Sequence, residues 1–157
     1  MPTLWAIDVS RERSASRTDA TFTSSDGGAS WTDQLLRPLD PFPETFEGDP
    51  MTAVDPATGH RWVGGIEFGG GGSVYVAHQH PDGTLDPPVE LYQGSTDKCW
   101  MGAGPAPGDP ESARVYVAYN FPNSLHHSTD LGATWSAPVA IDENGIGFLP
   151  RVTPDGT

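Results

Sequence analysis

Two aspartates, Asp49 and Asp97, stand just ahead of strand-like segments, Met51–Val54 and Trp100–Ala103. A pair of opposed carboxylates roughly 5–10 Å apart is the equipment of glycoside hydrolysis, one acting as acid and the other as base or nucleophile. Glu44, Glu47, Glu67, Asp142 and Glu143 offer further carboxylates in predicted loops. The plainer role of Asp49 and Asp97 is to cap turns ahead of strands. Six of the eight basic residues, Arg11, Arg13, Arg17, Arg37, Lys98 and Arg151, fall in the same loops or at adjoining strand ends. A guanidinium grips a carboxylate with two parallel hydrogen bonds. The plainer role here is solvated charge. Trp100 and Tyr119 can stack on sugar rings or simply fill a core. The ligand-binding candidates are therefore Asp49, Asp97, Lys98, Trp100 and Arg151.

Four other groupings are discounted. His126 and His127 are neighbours on a predicted strand and point to opposite faces. His78 and His80 share a face, read as the surface of an outer strand, so no metal site is expected. The Gly69–Gly72 run lacks the lysine and helix of a phosphate-binding loop. Cys99 has no histidine near it in sequence to activate a thiol. No cofactor is expected.

The elements that must position these residues are short strands. They are expected at Trp5–Val9, Asp19–Thr23 and Trp31–Arg37; at Met51–Val54, Arg61–Ile66, Val74–Gln79 and Val89–Tyr92; at Trp100–Ala103, Val115–Tyr119, Leu125–Ser128 and Ala137–Ile141; and at Leu149–Thr153. No helical period appears. Ala53-Val54-Asp55-Pro56, Gly102-Ala103-Gly104-Pro105 and Arg151-Val152-Thr153-Pro154 align at a spacing of 49 residues, twice. The octet Ser24-Ser25-Asp26-Gly27-Gly28-Ala29-Ser30-Trp31 recurs as Ser128-Thr129-Asp130-Leu131-Gly132-Ala133-Thr134-Trp135, 104 residues on. A degenerate hairpin, His80-Pro81-Asp82-Gly83-Thr84, falls between them. In each octet the aspartate can accept bonds from backbone N–H groups and lock a turn. Glycine supplies positive φ, and the tryptophan is expected to bury its ring as the next strand begins. Repeats of this length built from short strands point to propeller blades.

The two octets resemble the Asp-box, or BNR repeat, of sialidase-like β-propellers. That resemblance implies an all-β fold: a partial propeller of about three four-stranded antiparallel blades. One blade spans 1–40 and lacks its inner strand; two complete blades span 48–94 and 97–143; and 148–157 supplies the inner strand of a further blade. Ser24, Asp26, Gly28, Trp31, Ser128, Asp130, Gly132 and Trp135 are then structural, on the face away from the site. Loops between strands two and three, and between blades, form the binding face. The resemblance implies exo-sialidase-type hydrolysis or, alternatively, a non-catalytic scaffold for a glycan or protein. Sialidases use an arginine triad and a Tyr–Glu pair. No Phe-Arg-Ile-Pro-like segment is present, Phe148-Leu149-Pro150-Arg151 having the wrong order, so no catalytic residue carries over. The chain is expected to be a fragment completed by further blades, or a half-ring completed by a second copy.

Composition excludes other classes. Nineteen glycines and sixteen prolines suit many turns. A net charge of −13 argues against nucleic acid and anionic membranes as partners. The single cysteine rules out an internal disulfide. The N-terminus shows no signal peptide, although the resemblance implies an extracellular or cell-envelope parent protein. No apolar run is long enough to span a bilayer.

Overall fold

The computed structural model describes residues 4–8, 20–35, 46–67, 72–141 and 144–156. Among them there is no helix, hence none able to cross a membrane. The described residues form eleven strands: β1 (Leu4–Asp8), β2 (Ala20–Ser24), β3 (Thr32–Leu35), β4 (Phe46–Val54), β5 (Arg61–Glu67), β6 (Ser73–Gln79), β7 (Val89–Tyr92), β8 (Asp97–Ala106), β9 (Asp109–Asn120), β10 (Ser124–Ser128) and β11 (Val139–Ala140). They form three antiparallel meanders, β1-β2-β3, β4-β5-β6-β7 and β8-β9-β10-β11. The fold is thus all-β, and the first three expected groups of strands each form one sheet.

The last expected strand is absent. Leu149–Thr153 has no strand pairing and instead lies along β8. Gly102 and Gly104 make room for it: a Cβ there would sit 2.4 Å from the Pro150 carbonyl oxygen and 2.7 Å from Val152 Cγ1. The segment meets β8 through side chains and a carbonyl group, and a strand needs a ladder of paired amides.

The sheets are held by burial. β5, interior to its sheet, is buried along nearly its whole length. Met51, Trp62, Ile66, Val74 and Val76 of the second sheet form one apolar cluster with Cys99, Met101, Val115, Val117 and Tyr119 of the third. Each large side chain so enclosed contributes about 1.5–3 kcal/mol relative to exposure. The two sheets therefore share a core.

The 49-residue recurrence is also a backbone recurrence. The β4–β5 ladder slips between Gly48 and Met51, and the β8–β9 ladder slips between Asp97 and Trp100. Within these bulges Asp49 and Lys98 take positive φ, 43° and 52°, and Gly147 at the next equivalent position has φ 79°.

Both octets close as expected. Asp26 Oδ1 accepts from Ser24 Oγ (2.8 Å) and the Ser30 amide (2.9 Å), and Asp26 Oδ2 accepts from Ser30 Oγ (2.5 Å). Asp130 repeats the set with Ser128 Oγ (2.8 Å), the Thr134 amide (2.9 Å) and Thr134 Oγ1 (2.5 Å). Trp31 Nε1 donates to the Gly28 carbonyl, and Trp135 Nε1 to that of Gly132. The two rings differ in burial. Trp135 packs against the shared core, whereas Trp31, expected to be buried, is 45% exposed. Local bonds set the turn; burial of its ring depends on what the sheet packs against.

Candidate functional site

Two clusters of polar side chains lie at opposite ends of the second sheet. The first stands where β4 and β8 begin. The bulge in β8 turns Lys98 back on its neighbours. Its amide donates to Asp49 Oδ2 (2.7 Å) and Asp97 Oδ1 (2.9 Å), and its Nζ lies 3.2 Å from Asp97 Oδ1 and 3.7 Å from Asp49 Oδ1. Asp97, then Asp49, raises the Lys98 ammonium pKa, so the pair of carboxylates meets a fixed cation. Cys99 Sγ donates to the Asp49 carbonyl (3.0 Å), which ties the two bulges together. Positive φ at a non-glycine residue costs on the order of 1–3 kcal/mol and collects at ligand sites.

Beside this cluster Trp100 is 43% exposed. Asn120, fully buried, braces the loop next to it. Its Nδ2 donates to the Gly145 carbonyl (2.9 Å), and its Oδ1 accepts from the Gly147 amide (2.8 Å). A Cβ on Gly147 would stand 3.3 Å from the Trp100 ring nitrogen. The fold therefore brings Asp49, Asp97 and Lys98 together, with Trp100 two residues further along β8. Arg151 is exposed and joins none of these contacts. Tyr119 is core: it stacks on Tyr92 and its hydroxyl lies 3.0 Å from His126 Nε2. Glu67 is buried at the end of β5. Arg11, Arg13, Arg17, Arg37, Glu44, Asp142 and Glu143 lie outside the described residues, as does the Glu47 side chain.

The second cluster gathers at the octet end. His78, expected on an outer surface, is buried, because β6 is interior to its sheet and the rings of Trp62 and His80 pack against it. Its Nε2 lies 2.8 Å from His60 Nδ1, and its Nδ1 lies 2.8 Å from Asp86 Oδ2. His80 Nε2 lies 3.0 Å from Asp86 Oδ1. Burial lowers the His78 pKa and favours the neutral ring, partly opposed by Asp86. A cavity of about 250 Å³ opens here, lined by Val76, His78, Asp86, Gly132 and Ala133 among others. Next to it the Trp62 indole stacks obliquely on His78 and donates from Nε1 to the Leu131 carbonyl (2.9 Å). His126 and His127 do point apart. His126 is buried against Tyr119, and His127 packs beside Tyr116.

Sequence reasoning passed over His60 and Asp86. The signal for His60 was present in the pairing of the flanking strands, where Arg61 faces Gln79, which sets His60 across from His80. No protein-family model matches the chain, and no curated protein matches it.

Proposed function

We propose that the chain forms consecutive blades of a sialidase-like β-propeller and binds a glycan where its inner strands begin. The observation that carries this reading is the meeting of Asp49, Asp97 and Lys98, on two strained bulges, beside the exposed indole of Trp100. Sugar hydroxyls both donate and accept, so carboxylates and an ammonium fix them in orientation, while an aromatic face covers the apolar side of the ring. Two meanders of the same strand order, two octets with the same bonds and three positive-φ positions 49 residues apart support the blade reading. Further blades, or a second copy, complete the ring on this reading.

The two carboxylates keep hydrolysis as the second reading. Binding is favoured because the Lys98 ammonium, 3.2 Å from Asp97 Oδ1 and 3.7 Å from Asp49 Oδ1, occupies the space between the carboxylates that a scissile bond would need. The test is a glycan panel that includes sialosides, followed by titration with tryptophan fluorescence. Binding is expected, and Trp100→Ala is expected to weaken it more than tenfold. No binding to any glycan, or binding indifferent to both Trp100→Ala and Lys98→Ala, would overturn the proposal. Fluorophore release from a sialoside, lost in Asp49→Asn, would establish hydrolysis instead.

A further inference from the structure

We propose that His60, His78 and His80 form a binding site for a divalent d-block cation of the zinc class, with Asp86 orienting the imidazoles. This site lies at the octet end of the second sheet and does not rest on the glycan reading.

The β5–β6 ladder is what assembles it. Trp62 pairs with His78 and Arg61 with Gln79, so His60 falls across from His80. His78 and His80 share a face by the two-residue period of a strand, and His60 joins them on that face. Each backbone is anchored. The His60 carbonyl accepts from the Asp55 amide (2.9 Å), in a turn held by the fully buried Asp55 carboxylate through the amides of Ala57 and Thr58. The His80 amide donates to the Thr84 carbonyl (2.8 Å) in the next hairpin. His78 sits inside the sheet.

The donors fit a metal. One nitrogen from each ring lies within 4.8 Å of the other two. Three of the chain's five histidines meet at this one place. Tetrahedral zinc with Zn–N bonds near 2.0–2.1 Å sets its nitrogens about 3.3 Å apart. The His60–His78 pair stands at 2.8 Å. The half-buried His60 ring moves out by about half an ångström to satisfy that spacing, and the remaining nitrogen pairs, within 4.8 Å, close by up to about 1.5 Å. The two nitrogens now share a proton, and a cation would take its place. Imidazole donors suit zinc, copper or nickel, whereas calcium and magnesium demand oxygen. Asp86 stands at His78 Nδ1, the position from which a carboxylate fixes the tautomer of a metal-bound histidine. The adjoining cavity leaves room for a further ligand such as water.

The test is calorimetric titration of chelator-treated protein with zinc, with cobalt as a spectroscopic probe. One ion per chain is expected, with the visible absorption of tetrahedral cobalt. His60→Ala and His80→Ala, both on residues that are not fully buried, are expected to weaken binding at least tenfold each. Asp86→Asn is expected to weaken it about 10–100-fold. His127→Ala, on a histidine outside the cluster, is expected to leave it unchanged. Absence of stoichiometric binding, or affinity equal in the His60→Ala/His80→Ala double variant and the parent, would overturn the proposal.

Discussion

Replacing Trp62 with phenylalanine tests how the second octet is tied to the neighbouring sheet. Trp62 is fully buried, and its Nε1 is the donor to Leu131 inside the octet, 69 residues away in sequence. Phenylalanine keeps the six-membered ring and loses the donor and the fused ring. The lost bond costs about 1 kcal/mol net. The void left by the missing ring atoms adds about 1–2 kcal/mol, because buried surroundings collapse only partly. Leu131 is only half-buried, so an unmade bond at its carbonyl adds little desolvation cost. The sum is about 2–3 kcal/mol, a large share of the roughly 5–15 kcal/mol that holds a domain together. Urea unfolding should show it as a lower midpoint with an unchanged slope. Hydrogen exchange should rise at the amides of Gly132 and Thr134, which bond to Ser128 and Asp130 within the octet. Trp100→Phe, on an exposed ring, is the control and should stay within about 0.5 kcal/mol of the parent. If Trp62→Phe also stayed within that margin, or if the octet amides kept their protection, the octet would not be docked through this indole.

Two further outcomes follow from the same geometry. The carboxyls of Asp26, Asp82 and Asp130 are held below the ordinary value of 3.8, chiefly by bonds to Ser30, Thr84 and Thr134 respectively. Folded values below unfolded ones mean that their contribution is complete above about pH 4 and is lost as pH falls through the folded values. An acid titration followed by tryptophan fluorescence should show that loss, and Asp130→Asn should flatten it; an unchanged acid profile in that variant would refute the assignment. Burial pushes the Cys99 thiol up to about 12, with Asp49 adding to the effect. Iodoacetamide at neutral pH should therefore leave the folded chain unlabelled and modify it only in denaturant; rapid labelling of native protein would contradict the buried placement.

What the amino-acid sequence determined by itself is local. An aspartate, a glycine and a hydroxyl residue within one octet can satisfy each other wherever the chain goes, and the bonds at Asp26 and Asp130 match one for one. Strand positions were legible because alternation and turn residues act over a few neighbours. Asp49 and Asp97 were legible as a pair because each precedes a recurring strand, though their convergence on Lys98 needed the bulges. Tertiary structure decided the rest. Whether Trp31 or Trp135 is covered depends on the neighbouring sheet, and the turn chemistry does not reach that far. Leu149–Thr153 has strand-like residues yet pairs with no strand, since it lies against the glycine-lined face of β8 and not along the hydrogen-bonding edge of that strand. His60 meets His78 across 18 residues because a hairpin register places it there, and Asp86 joins them by the fold of the following turn. Short-range rules carry no information about which distant side chains share a face until the pairing of strands is set.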